Sequence, residues 1–235
     1  MSVAAPTGRA SLPRRDARAR SHLEVLAREV RPAVAAAERS LPVAGSLGEL
    51  LPGGGLQRGS VVTVGGEPGS GSTTLTLRLA AAATSAGEWV AFVDPDGNLG
   101  GRAAGEAGVS LERCAFVRGV PPARWPTVVA ALLDGVAFVA AVAPPGLRLG
   151  DARRLVARAR ERAAVLVVME ASFPAGSRRP AAWPAEAALR LTAEGSPWPG
   201  LSAGEGLLVQ RELRVQVEGR GGTRCGGVSP VSLAG

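Results

Sequence analysis

The chain has 235 residues, of which 46% are hydrophobic, 20% charged and 3% aromatic. This apolar fraction excludes a wholly disordered protein, and the length suits one domain of about 150–250 residues with terminal segments. All 27 basic residues are arginine, which excludes lysine-dependent chemistry, and the net charge of +7 favours contact with nucleic acid or an acidic protein surface. The longest strongly apolar run, 136–143, is far shorter than the ~20 residues that span a bilayer, so we expect no membrane partner.

The first 45 residues predict a basic tail followed by a helical segment. Residues 1–20 are rich in arginine, which is typical of a mobile tail, although organellar transit peptides share this composition. Within the predicted helical segment 21–45, Leu23, Leu26 and Val30 recur at three- and four-residue steps, as on one face of a helix. Such an apolar stripe must pack against its own domain or against a partner chain, and both alternatives stay open.

Residues 46–219 are predicted to form one core domain of alternating strands and helices. The predicted strands span 60–64, 89–94, 114–117, 136–142 and 165–169, and the predicted helices span 72–85, 99–107, 124–133 and 149–164. Continuous apolar strands joined by helices indicate an α/β fold with a mostly parallel central sheet flanked by helices. Three later strand-like runs, 187–192, 205–211 and 213–218, predict an antiparallel extension, and we expect residues 220–235 to form a flexible tail.

A glycine-rich loop follows the first of these strands. Residues 65–74 read Gly-Gly-Glu-Pro-Gly-Ser-Gly-Ser-Thr-Thr between a strand and a helix, which is the context of a phosphate-binding P-loop. Gly66 and Gly71 occupy its two glycine positions and Thr73 the position of the magnesium-binding hydroxyl, while Ser72 stands where the motif has lysine. With Gly69 between the two glycines, the loop can still curl so that its N–H groups face an anion.

The charges that phosphoryl transfer requires are missing around this loop. The strand 136–142, which should end in a metal-holding aspartate, contains no acid, and the candidate base region after the second strand offers Asp94 and Asp96. Losing both the lysine and the metal-holding aspartate should cost several kcal/mol of barrier. We therefore predict a vestigial nucleotide site with no catalytic residues, no metal site and no required cofactor, and leave residual binding of ATP and Mg²⁺ open.

Residues 51–59, Leu-Pro-Gly-Gly-Gly-Leu-Gln-Arg-Gly, together with the strand and loop after them, resemble the lead-in to the ATPase core of RecA-type recombinases. More specifically, Leu41-Pro42, the triple glycine and the ending 215–222, Val-Gln-Val-Glu-Gly-Arg-Gly-Gly, are similar to the ImuA/ImuA′ proteins. These are RecA-like accessory proteins of the bacterial translesion mutagenesis cassette. The resemblance covers about residues 21–225 and implies a RecA-like P-loop fold and a role in DNA repair and the SOS response.

The resemblance also implies roles for individual residues. Asp96 lies at the place of the recombinase's water-activating glutamate, on a shorter side chain. Glu170 lies where the recombinase has a glutamine that senses the γ-phosphate, and a glutamate there would repel phosphate. Arg178 and Arg179, in the segment that follows, are candidate DNA contacts. The helical stripe of the N-terminal segment matches a helix that packs on a neighbouring subunit, which makes it a candidate partner-binding surface.

The partners that the resemblance implies are a Y-family-like polymerase homologue, RecA and a replicative-type polymerase. We expect a non-catalytic adaptor that docks on the polymerase homologue, located in the cytoplasm and on the nucleoid when DNA is damaged. Two alternatives stay open: a weak ATP-binding, DNA-dependent ATPase of the RecA type, and a basic module that binds single-stranded DNA.

Other conspicuous residues are expected to have structural roles. Arginines recur every four residues from Arg154 to Arg162, and a solvated helix face is favoured over a stripe that follows phosphates. Trp125 and Trp183 each lie beside a proline and are expected to cover the core rather than to stack on bases. We expect a buried, inert thiol at Cys114, and Cys225 lies in the predicted tail.

Overall fold

A computed structural model describes residues 39–170, 183–195, 210–219 and 222–232. Its first elements are strand β1 (Ser40–Pro42), helix α1 (Gly45–Leu50) and strand β2 (Gly55–Gln57), with β1 and β2 paired antiparallel. The predicted helical segment 21–45 is therefore wrong over residues 39–44, and residues 21–38 lie outside the described part. Leu41 is buried in the core, and Pro42 has no N–H for a helical hydrogen bond, so this stretch is extended and belongs to the core domain.

An eight-stranded sheet forms the centre of the described part, in the order β10-β9-β8-β3-β7-β6-β4-β5. Its strands are β3 (Val61–Gly66), β4 (Val90–Asp94), β5 (Cys114–Arg118), β6 (Phe138–Val142), β7 (Val165–Met169), β8 (Leu189–Glu194), β9 (Gln210–Gly219) and β10 (Gly222–Ser232). The α-helices that follow α1 are α2 (Ser72–Ser85), α3 (Gly101–Glu106), α4 (Trp125–Gly135) and α5 (Leu149–Arg162). The six strands from β8 to β5 are parallel, and β9 and β10 are antiparallel. The predicted α/β fold with a mostly parallel sheet is confirmed.

Helices cover both faces of this sheet, because the chain moves from β3 to β5 in one direction and returns from β5 to β8 in the other. On one face α2 and α3 pack with alternate residues of the central strands, such as Val62 and Phe92. On the other face α4 and α5 pack around Trp125. The predicted helix 72–85 and strand 165–169 coincide with α2 and β7, because continuous apolar runs and clear helical periodicity define them.

The carboxyl-terminal part differs from the sequence prediction in three ways. Strand β8 joins the sheet parallel to β3, not as part of an antiparallel extension. The predicted runs 205–211 and 213–218 are, over the described residues, the single strand β9. Residues 222–232 of the predicted flexible tail form β10, which pairs with β9 from Gly219↔Gly222 onward. Gly222, the first residue of β10, has a φ of +91°, which glycine adopts without strain.

Within the residues that the structure describes, no helix is both long and apolar enough to cross a bilayer.

Candidate functional site

The loop between β3 and α2 contains three glycines with positive φ angles. Gly66, Gly69 and Gly71 have φ angles of +155°, +76° and +99°, which L side chains rarely adopt. Gly71 is the N-cap of α2, and helix formation begins at Ser72 with the hydrogen bond from the Leu75 N–H to the Gly71 carbonyl at 2.9 Å. The first N–H groups of α2 therefore face out of the helix at the loop, as they do where an anion is bound.

The inside of the loop is packed by the protein's own groups. Ser70 is 2% exposed, and its hydroxyl occupies the place where a side chain at Gly66 would be. A Cβ at Gly66 would also lie 2.6 Å from the carbonyl oxygen of Ala193 in β8. The Ser70 Oγ has no hydrogen-bond partner among the described residues. The loop can therefore approach β8 this closely because Gly66 has no side chain.

Strand β9, the neighbour of β8 in the sheet, also packs against this loop. Leu213 is buried, and its Cδ1 would lie 2.6 Å from a Cβ placed on Gly71. Glycine at this position therefore serves two purposes, because it permits the left-handed φ at the helix cap and makes room for Leu213. The loop shape is therefore tied to its packing against β8 and β9.

A carboxylate lies at the entrance to the loop. Glu170 follows β7, and its N–H donates to the Val64 carbonyl of β3 at 2.9 Å. Its side chain crosses the backbone of Gly65, where a Cβ would lie 3.0 Å from the Glu170 Oε2, and reaches an ion pair with Arg190 of β8 at 3.9 Å. The Glu170 Oε1 is buried without a hydrogen bond inside the described ranges. The loop therefore begins beside the Glu170–Arg190 ion pair, and Ser72 brings no positive charge to it.

The two candidate acids after β4 occupy different environments. Asp94 is 1% exposed, and its Oδ2 accepts a hydrogen bond from the Leu99 N–H at 2.6 Å. The Arg118 Nη2 donates to the Leu99 carbonyl at 2.9 Å, so Asp94 and Arg118 hold the turn after β4 from two sides. Asp96 is exposed in that turn. Two strands, β7 and β6, lie between this turn and the strand that carries the loop.

The end of β6, where a metal-holding aspartate would stand, carries Val142 and then Ala143. The Ala143 N–H donates to the Met169 carbonyl of β7 at 3.1 Å, which continues the strand pairing rather than opening a ligand position. Thr73, at the position of the magnesium-binding hydroxyl, is exposed in the first turn of α2. The described ranges contain no cluster of three or more His, Cys, Asp or Glu residues that could hold a metal ion.

Residues 49–175, slightly more than half of the chain, match the family described as the MT3502 N-terminal domain. The chain belongs to this MT3502 N-terminal domain family. The match takes in the lead-in, the glycine loop and the sheet as far as β7, and it ends before β8, β9 and β10. A search of the curated proteins found no match to the chain.

In this MT3502 N-terminal domain, the arginine stripe of α5 is paired with acids. Arg158 binds Asp134 of α4 through its Nε at 2.6 Å, Arg162 binds the same carboxylate at 3.1 Å, and Arg154 pairs with Asp151. The hydrogen bond from Arg158, followed by the charges of Arg158 and Arg162, lowers the pKa of Asp134. The ion pairs with Asp134 connect α5 to α4, and the whole set is consistent with a solvent-exposed helix face.

The tryptophans and the cysteine also have structural surroundings. Trp125 and Trp183 are buried in the core on the α4 and α5 side of the sheet, which confirms the prediction that they cover the core. Cys114 is half-buried at the start of β5, and burial raises the pKa of its thiol to about 11. It is therefore protonated at neutral pH, as expected for an inert thiol.

Several predicted site residues lie outside the described residues: Leu23, Leu26, Val30, Arg178 and Arg179. Sequence reasoning missed Ser70, Arg190 and Leu213, which surround the loop. Arg190 and Leu213 come from β8 and β9, whose placement beside β3 only the sheet order shows. Ser70 lies within the motif, between Gly69 and Gly71. Its small size was the only feature of the sequence that indicated a buried side chain.

Proposed function

We propose that this protein is a non-catalytic accessory protein with a RecA-type core. It acts in DNA-damage-induced translesion synthesis, as a platform that docks on a Y-family-like polymerase homologue. The support from the sequence is the lead-in 51–59 and the ending 215–222, which resemble the accessory proteins of the mutagenesis cassette. The support from the fold is the mostly parallel sheet with its glycine loop between β3 and α2.

The observation that carries the proposal is the charge at the loop. The glycine loop leads into the amino terminus of α2, but Ser72 replaces the lysine, and the Glu170 carboxylate that crosses Gly65 at the loop entrance is paired with Arg190. The β- and γ-phosphates of ATP need cationic neutralisation during transfer, and the guanidinium of Arg190 is already paired with a carboxylate. A folded loop with these charges suits a scaffold rather than an enzyme that hydrolyses ATP.

The arginine face of α5 favours this proposal over a single-stranded-DNA module. Phosphate contacts need arginines that can exchange counterions for phosphates. From Arg154 to Arg162 the stripe instead binds the acids of its own helix and of α4. DNA affinity would then have to come from other arginines, among them the candidates Arg178 and Arg179.

Nucleotide titration of the purified full chain tests the loss of ATP chemistry. With Mg²⁺ present, we expect no binding of a fluorescent ATP analogue at tens of micromolar and no release of phosphate. The double variant Ser72→Lys with Glu170→Gln should bind the analogue at least about tenfold more tightly, which corresponds to roughly 1.4 kcal/mol. Ser85→Lys, the same change at the exposed far end of α2, is the matched control and should have no effect. Brisk hydrolysis by the unmodified chain that depends on Ser72 would overturn the proposal.

Co-purification tests the docking role. The tagged chain should capture the polymerase homologue from DNA-damaged cells, and changing Leu23, Leu26 and Val30 to aspartate should abolish that capture. Leu149→Asp changes an exposed apolar side chain on α5 and should leave the capture intact. Capture that survives all three N-terminal changes would show that the helical stripe is not the docking surface, and no capture by the unmodified chain would contradict the adaptor role.

A further inference from the structure

We draw no further inference here: the strongest candidate, the largely apolar cleft between the start of α1, α2 and the end of α3, with Arg78 in its wall, carries no proposal because nothing in the described part of the structure shows what covers it.

Discussion

The loop after β3 and the open edge at β5 differ in how far the rest of the protein covers them. The loop carries the most recognisable motif of the chain, and its own neighbours fill it: Ser70 is 2% exposed and Leu213 is 4% exposed. The β5 edge carries no motif, yet Trp89 and Leu111 beside it are each about half exposed. The comparison teaches that packing of the fold can require a glycine-rich motif. The exposed edge at β5, by contrast, has no sequence signature.

The packing explanation for the loop predicts a large loss of stability for Gly66→Ala. The new Cβ would meet the Ala193 carbonyl at 2.6 Å and the buried Ser70 hydroxyl at a φ of +155°. We expect a loss of at least about 4 kcal/mol in the free energy of unfolding, because a backbone oxygen cannot move aside cheaply. Urea denaturation measures it. Gly69→Ala, also at positive φ but with open space around it, should cost only about 1–2 kcal/mol, and equal losses would break the comparison.

Leu213→Ala should have the next largest effect. Leu213 is buried against Gly71 and the core, and removing a buried leucine side chain costs about 3 kcal/mol. Thermal unfolding of the purified chain would measure this. Leu149→Ala is the exposed counterpart and should change stability by less than about 0.5 kcal/mol. If Leu213→Ala left the stability unchanged, β9 would not be closing the loop.

The pH dependence of Cys114 alkylation tests how far this residue is buried at the start of β5. Its thiol has a pKa raised from 9.0 to about 11, so the reactive thiolate is scarcer at any pH below that value. In a Cys225→Ser background, alkylation at pH 8 should be roughly 100-fold slower than that of a thiol with the unshifted pKa, and should rise as the pH approaches 11. Alkylation followed by mass spectrometry reads this out, and a rate already at its maximum near pH 9 would contradict the half-buried placement.

Trp89→Ala should have the smallest effect on folding. The side chain is 52% exposed, and exposed substitutions away from caps and strained backbone stay within about 0.5 kcal/mol. Chemical denaturation with circular dichroism measures the change. A loss comparable to that of Leu213→Ala would show that Trp89 belongs to the core.

Much of the central sheet was predictable from local patterns. The strand 165–169 and the helix 72–85 coincide with β7 and α2, because their apolar runs and helical spacing depend on neighbours along the chain. The short strands β1 and β2 and the helix α1 were not predicted, since three to six residues are too few to show a period. Strand β10 was not predicted because Gly222, Gly226 and Gly227 are typical of loops, and the strand is defined by its pairing with β9.

The amino-acid sequence by itself determined the composition of the loop: the chain has no lysine, Ser72 stands at the position of the motif's lysine, and the strand β6 contains no acid. Only the tertiary structure decided which groups surround the loop and which edge stays open. Glu170, Arg190 and Leu213 reach the loop from strands that are distant in sequence, and such neighbours follow from sheet order rather than from any local pattern. The exposure of β5 has the same origin, since a strand becomes an edge only when the whole sheet is assembled.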